Sequence, residues 1–404
     1  DMREKMKKKN VLLFFLFLSC FFFLSVSLSA EQMYSPSWGY ALDLPEDFVL
    51  ANREGNERYL FQHAILPVDL QIALYEEPQF KSAKEAAEHV FKQLKMTHKD
   101  VPFIWRNKEA ILSSVSFLYS PSQKYKPKEL SGWVLSLELP NKTGWLVLLT
   151  YTDKDKAKEC ENLMISSLDT VYTDTMSYFE PGPVTTALYP KTKEKTIEYT
   201  FNNKNISFTI DESDAEANKS VIDREFSVLT MYLNHDNLIA AWQRFYKIIF
   251  RDAWNRIAPA SFAVYTSLFD ENNQNGFAEK AAKELLFLVQ NFNYERDRKG
   301  SDFMNLPQAL TEKRGDCDSR ALLMVLMLKQ MNIDAVLLVS PNKSHAIAAV
   351  DCPGSGTCFT HNGRDYLGCE TTAHVPIGEI ADEIAAPENW FPVDFYVIEN
   401  FESN

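Results

Sequence analysis

The stretch TEKRGDCDSRALLMVLMLKQM, residues 311–331, carries two readings that exclude each other. Taken alone, Arg314-Gly315-Asp316 is an adhesion tripeptide, which needs an extended and exposed tip. Taken with the residues C-terminal to it, the tripeptide is the approach to a cysteine at the start of a buried helix. Residues 321–328 are apolar without a break, and a helix apolar on every side is buried on most of them. Asp316 is then available as N-cap and Gly315 gives the backbone room to turn. A thiol at Cys317 would face the positive end of the helix dipole, which favours thiolate. The same pattern also suits a structural cysteine, so the decision lies in the residues around it.

Downstream, residues 335–339 read as a strand, 340–344 as a turn, 345–350 as a second strand and 365–371 as a third. If the last two form an antiparallel hairpin closing around residues 357 and 358, Val350 opposes Asp365 and His345 opposes Glu370. Directly opposed residues hold their Cβ atoms about 5 Å apart on one face. The Glu370 carboxylate could then orient the His345 imidazole, as a catalytic triad requires.

With these residues in place, the chain resembles the transglutaminase-like superfamily. The matching stretches are RGDCDSRA at 314–321, MNIDA at 331–335, His345-Ala346, and YLGCETT at 366–372, and the likeness spans residues 277–372. The resemblance implies a papain-like core of helix and antiparallel sheet with a Cys-His-Asp triad in this order. Carried over, Cys317 is the nucleophile, His345 the general base and acid, and Glu370 the orienting carboxylate. The chain departs from the family pattern in having Glu370 for aspartate, Ile347 where an aromatic often follows the histidine, and Asn332 and Asp334 for glycine and proline. The implied chemistry is thiolate attack on an amide carbonyl, a thioester, and release to water or an amine. One oxyanion donor would be the Cys317 N–H, with Tyr294 or Gln308 as the second. The leading expectation is an exported cysteine hydrolase, a peptidase or amidase acting on a protein or peptide substrate without a cofactor. A cross-linking transglutaminase and a catalytically inactive binding or assembly module are the alternatives.

Export is read from the N-terminus. Arg3, Lys5, Lys7, Lys8 and Lys9 precede an apolar run at 11–28 that meets Ser27, Ser29 and Ala30, the pattern of an export signal. Either the segment 1–30 is cleaved after Ala30 or it stays as a membrane anchor; Cys20 follows Phe17-Leu18-Ser19, a poor lipoprotein signal. A periplasmic, cell-envelope or secreted location is then expected. Without the leader the formal charge moves from −13 to −16, which argues against a nucleic-acid partner. Of the remaining cysteines, Cys160, Cys317, Cys352, Cys358 and Cys369, an odd number suggests one thiol kept free. A Cys352–Cys358 disulfide is expected to close the loop between strands. Cys369 alternates with Glu370 and so points away from the triad, either paired with Cys160 or free and buried. Cys352, Cys358, His361 and Cys369 match no common zinc spacing, so no metal is expected.

The length implies two or three domains, and the fold class is α+β. Residues 31–175 show strands at 59–65, 70–75, 111–118, 133–139 and 145–151 and helices at 82–96 and 154–168, an antiparallel sheet with covering helices. Its opening, SPSWGYALDLPEDF at 35–48, resembles the first strands of PsbP-like domains. Residues 176–235 read as a linker with Pro181, Pro183 and Pro190, a hairpin of 196–201 and 206–210 around a loop at 202–205, and a helix at 215–233. Residues 236–404 are expected to form the domain that resembles the transglutaminase-like superfamily. Its helices are expected at 238–254 and 277–292, the first with Trp242, Phe245, Tyr246, Phe250 and Trp254 as a core stripe.

Overall fold

The computed structural model describes residues 32–120, 126–270, 276–296 and 301–396; the leader, with its expected cleavage or anchoring, lies outside them. Among the described residues no helix is long and apolar enough to cross a membrane. The N-terminal part begins with a ribbon of β1 (Gln32–Ser35) and β2 (Tyr40–Asp43). Seven antiparallel strands come next: β3 (Phe48–Glu54), β4 (Arg58–His63), β5 (Asp69–Glu76), β6 (Thr97–Trp105), β7 (Lys108–Tyr119), β8 (Lys128–Glu138) and β9 (Gly144–Asp153), in the order β3-β4-β5-β9-β8-β7-β6. Helix α1 (Ala83–Leu94), capped by Ser82, covers one face and α2 (Ala157–Asp169) the other. Strand alternation assigns the residues: Val134, Val147 and Leu149 pack with α1, whereas Leu135, Leu146 and Leu148 join the opposite core.

Two short helices, α3 (Thr175–Tyr178) and α4 (Pro183–Leu188), lead to a hairpin of β10 (Glu194–Phe201) and β11 (Lys204–Asp211). The hairpin turns through two residues and not the expected four. Asn202 and Asn203 both take left-handed backbone (φ 46° and 58°), which asparagine tolerates and the twist of a tight hairpin demands. Helix α5 (Asp214–Thr230) packs between α2 and α6 (Leu238–Leu268). Helix α6 runs well past the end expected at residue 254. Pro259 removes one backbone donor, but Ala260, Val264 and Leu268 continue the buried stripe beyond it, and that packing outweighs the missing bond.

The C-terminal part continues with α7 (Phe277–Gln290), β12 (Asn293–Tyr294), α8 (Leu306–Glu312), β13 (Arg314–Gly315) and α9 (Cys317–Gln330). A five-stranded antiparallel sheet completes it: β14 (Ala335–Ser340), β15 (His345–Val350), β16 (Cys358–His361), β17 (Arg364–Cys369) and β18 (Phe391–Val393), ordered β16-β17-β15-β14-β18. One face, with Leu337, Val339, Ala346, Ala348 and Cys369, shares a core with α9, which is buried from Ser319 to Leu328. The other, with Leu338, Ile347 and Ala349, packs on Ile380 and Trp390.

Two expectations about this sheet are corrected. No simple hairpin joins β15 to β17, because β16 first forms its own hairpin with β17, fixed by the bond from Thr360 to the opposed Asp365 (2.6 Å). Val350 consequently opposes Leu367 and not Asp365, a shift of two residues. An even shift leaves every side chain on its expected face. The Cys352–Cys358 bridge is not formed either: all five described cysteines are free thiols. Cys352 packs against the main core while the exposed Cys358 turns its sulfur to the Gly356 carbonyl (3.7 Å). Cys369 and Cys160 are both buried and unbridged.

Candidate active site

Cys317 is the first residue of α9. Its preceding residue, Asp316, caps the helix through a carboxylate oxygen that accepts from the Ser319 N–H (2.9 Å) and from the Ser319 hydroxyl. Gly315 sits close to the helix start, and a Cβ there would stand 3.2 Å from Ser319 Cβ, a tight contact. The adhesion reading does not survive: Asp316 is 2% exposed, and Arg314 is paired with Glu295 (2.8 Å) and Glu312 (2.5 Å). Three residues into the helix, the buried Arg320 donates to the carbonyls of Gly315 (3.0 Å), Phe292 (2.7 Å) and Thr371 (3.3 Å). One guanidinium thus ties the start of α9 to the end of α7 and to the residue after Glu370.

His345 opens β15 opposite Ser340, and Glu370 directly succeeds the last residue of β17. The His345 Nε2 and a Glu370 carboxylate oxygen are 2.7 Å apart. With the observed register Glu370 lies diagonally across from His345, and the longer glutamate side chain spans the diagonal. Its second oxygen accepts from the Thr372 N–H (2.8 Å) and hydroxyl (2.6 Å). Its backbone carbonyl accepts from Gln290 Nε2 (2.9 Å), which also holds Val375 (2.8 Å). Burial alone would raise the Glu370 carboxyl, but the His345 and Thr372 bonds outweigh it and hold the group below the usual glutamate range. Nε2 being engaged, Nδ1 is the imidazole nitrogen left for proton exchange.

The resting thiol differs from the expected thiolate. Burial, reinforced by the Asp318 and Asp316 carboxylates, pushes Cys317 up to about 12, against the opposing pull of the Ala346 N–H and Arg296. Burial, the largest of these causes, therefore favours the thiol over the thiolate. Asp316 is itself raised to about 7, by burial first and Asp318 second. Beside these groups a cavity of about 490 Å³ opens between α6, residues 301–303, the start of α9 and the β14–β15 turn, with His345 in its wall. Of the two second oxyanion donors considered, Tyr294 pairs with Gly315 across β12 and β13 and is half exposed. Gln308 is bonded on α8 to Asn305 (2.9 Å) and Glu312 (3.0 Å). Of the cysteine and histidine group considered for zinc, His361 is bonded to Asp394 (2.6 Å). Reading the sequence missed Arg320, Gln290 and Asp318; the available signal was a polar first turn on an otherwise apolar helix.

Three solved structures illustrate what the chain is similar to. Cyanobacterial PsbP from Synechocystis sp. PCC 6803 is 11% identical, covering 38% of this chain and 97% of that one, with a TM-score of 0.29. The Ran-binding protein Mog1p of Saccharomyces cerevisiae is 10% identical over 35% of this chain and 94% of that one, with a TM-score of 0.28. A Bacteroides thetaiotaomicron protein, 10% identical, covers 84% of this chain and 89% of that one at a TM-score of 0.25. At such scores none of these likenesses bears on function. No curated protein matches the chain. The family model of the transglutaminase-like superfamily matches residues 265–395, the span that holds Cys317, His345 and Glu370, and the C-terminal part of this chain is a transglutaminase-like domain.

Proposed function

We propose that the chain is an exported cysteine hydrolase, a peptidase or amidase in which Cys317, His345 and Glu370 act as a triad. The observation that carries this reading is the 2.7 Å bond between His345 and Glu370 at the wall of a cavity that opens beside the N-terminus of α9. Because the thiol rests protonated, attack is a concerted event: the imidazole takes the sulfur proton as the sulfur adds to the amide carbonyl. The Cys317 N–H, at the start of the helix, donates to the developing oxyanion. The imidazolium returns its proton to the leaving amine, and water then attacks the thioester with His345 again as base. Glu370 supports the imidazolium through each transfer.

The test is covalent trapping. With an activated acyl ester, the full chain should acquire the acyl mass on Cys317, removable by hydroxylamine. Cys317→Ala should abolish the adduct, and His345→Ala should slow it by about a hundredfold or more. Acylation spread over the other cysteines, or unaffected by His345→Ala, would sink the proposal. One observation favours the second reading, a catalytically silent binding module: two carboxylates flank the thiol and disfavour its ionisation. That reading expects no selective acylation.

A further inference from the structure

We propose that the cavity beside Cys317 binds an alkylammonium group of the substrate, seated between the Trp242 and Tyr246 rings and the Asp318 carboxylate. The inference deepens the hydrolase reading and rests on it for the position of the scissile amide. Trp242 and Tyr246 stack at 5.8 Å with their planes 22° apart, one turn apart on α6. Both line the cavity, and the Tyr246 hydroxyl donates to an Asp318 oxygen at 3.1 Å. Aromatic faces next to a carboxylate attract ammonium and repel carboxylate ligands.

The other charges of the cavity leave Asp318 as the group in need of a cation. Arg296 faces Asp302 at 3.6 Å and donates to the Tyr294 hydroxyl, so its charge is already shared. Asp316 is turned to Ser319 as the helix cap. Burial chiefly raises Asp318, and the Tyr246 bond and the charges of His345 and Arg296 do not reverse this. An independent feature points the same way. Ser340 lines the same cavity, is fully buried, and its hydroxyl has no hydrogen-bond partner among the described residues. An ammonium carries three donors, and Asp318 and Ser340 supply two acceptors for them in the same cavity. The substrate class is an amide-containing peptide carrying a basic amine, either a lysine-type side chain or a free chain terminus.

Binding can be measured apart from turnover. The Cys317→Ala full chain is titrated by calorimetry at about pH 7.5 with Nα-acetyl-lysine amide, with norleucine amide bearing a free α-amine, and with neutral Nα-acetyl-norleucine amide. At least one charged probe should bind about tenfold more tightly than the neutral one, and which probe does so identifies side chain or terminus. Asp318→Asn on this background should reduce the preference to about threefold or less. If that variant does not fold, Ser340→Ala should weaken the charged probe and leave the neutral one unchanged. Equal affinity for all three probes overturns the proposal, as does a preference that persists in Asp318→Asn. So does an Asp318→Asn enzyme whose pH profile shifts alike for charged and neutral acyl donors without any binding preference, since Asp318 would then serve the imidazolium alone. Failure of Cys317 acylation together with a retained ammonium preference would remove the hydrolase reading and leave this one standing.

Discussion

Glu370 meets His345 along a diagonal of the sheet, and this explains how a register read two residues out could still bring the right pair together. Side-chain direction in a strand depends only on odd or even count, so the face of His345 and Glu370 was legible while their alignment was not. Asp318 was not legible as part of the cavity, because its neighbour Tyr246 stands 72 residues away and looked like one more member of a core stripe. The carboxylate of Glu370 has a signature of its own. Held below the usual range by His345 and Thr372, it adds stability that is present above the ordinary glutamate range and is lost as pH falls through its lower folded-state value. Glu370→Gln should therefore cost about 2 kcal/mol at neutral pH, and the gap to wild type should narrow below about pH 4. Urea unfolding at several pH values reads this directly. Acylation of Cys317 in the same variant should slow by about two orders of magnitude, and an unchanged rate would show that Glu370 does not support the imidazole.

Elements with a regular apolar period were legible at the sequence level. Five strands of the seven-stranded sheet were visible, and the two that were not, β3 and β6, are its two edges. Their reason is physical: an edge strand is half solvated, so β3 is exposed over all but its first residue and shows no alternation. Helix α9 was legible from its apolar run, but what anchors it was not, since Arg320 acts on carbonyls that no sequence pattern marks. Those three carbonyls belong to three separate segments; when the guanidinium is removed Gly315 keeps only the Glu295 N–H (3.2 Å), and the Phe292 and Thr371 carbonyls lose the Arg320 donor. Arg320→Met should destabilise the fold by about 3 kcal/mol or more. Arg320→Lys should recover little of it, because a single ammonium cannot reach three carbonyls in the planar fork that arginine provides. Thermal unfolding of the two variants compares them, and a lysine variant as stable as wild type would show that the charge alone holds the segments.

The two halves of the molecule are joined through buried charge. Arg244 of α6 donates to Glu225 of α5 (2.6 Å) and to Ser166 of α2 (2.8 Å), while Arg224 binds Asp169 (2.8 Å) and Glu225 (2.7 Å). Tyr232 reaches from the end of α5 to the Glu46 carbonyl (2.7 Å) and meets His63 of β4 (3.2 Å). None of this was visible in the sequence, where residues 176–235 read as a linker, because buried ion pairs are made by partners far apart in the chain. Glu46 is a carboxylate of this joint that is not satisfied: it is 3% exposed, and neither carboxylate oxygen has a hydrogen-bond partner among the described residues. Burial raises its carboxyl to about 7, with Arg244 opposing. Proton uptake on folding sets the direction of its effect. Below the unfolded-state value Glu46 is neutral in both states and has no effect; as pH rises from there through about 7, the folded state comes to carry an ill-paired charge and wild type loses stability. Glu46→Gln removes the charge at every pH, and any cost of burying its amide is the same throughout. Relative to wild type the variant should gain roughly 2–3 kcal/mol between about pH 4 and pH 8. His63, which burial lowers to about 4, is present in both proteins and cancels from the comparison. Denaturant unfolding at the two pH values measures the gain, and a difference that does not change with pH would mean that Glu46 is already paired and that the joint between the halves carries no titrating strain.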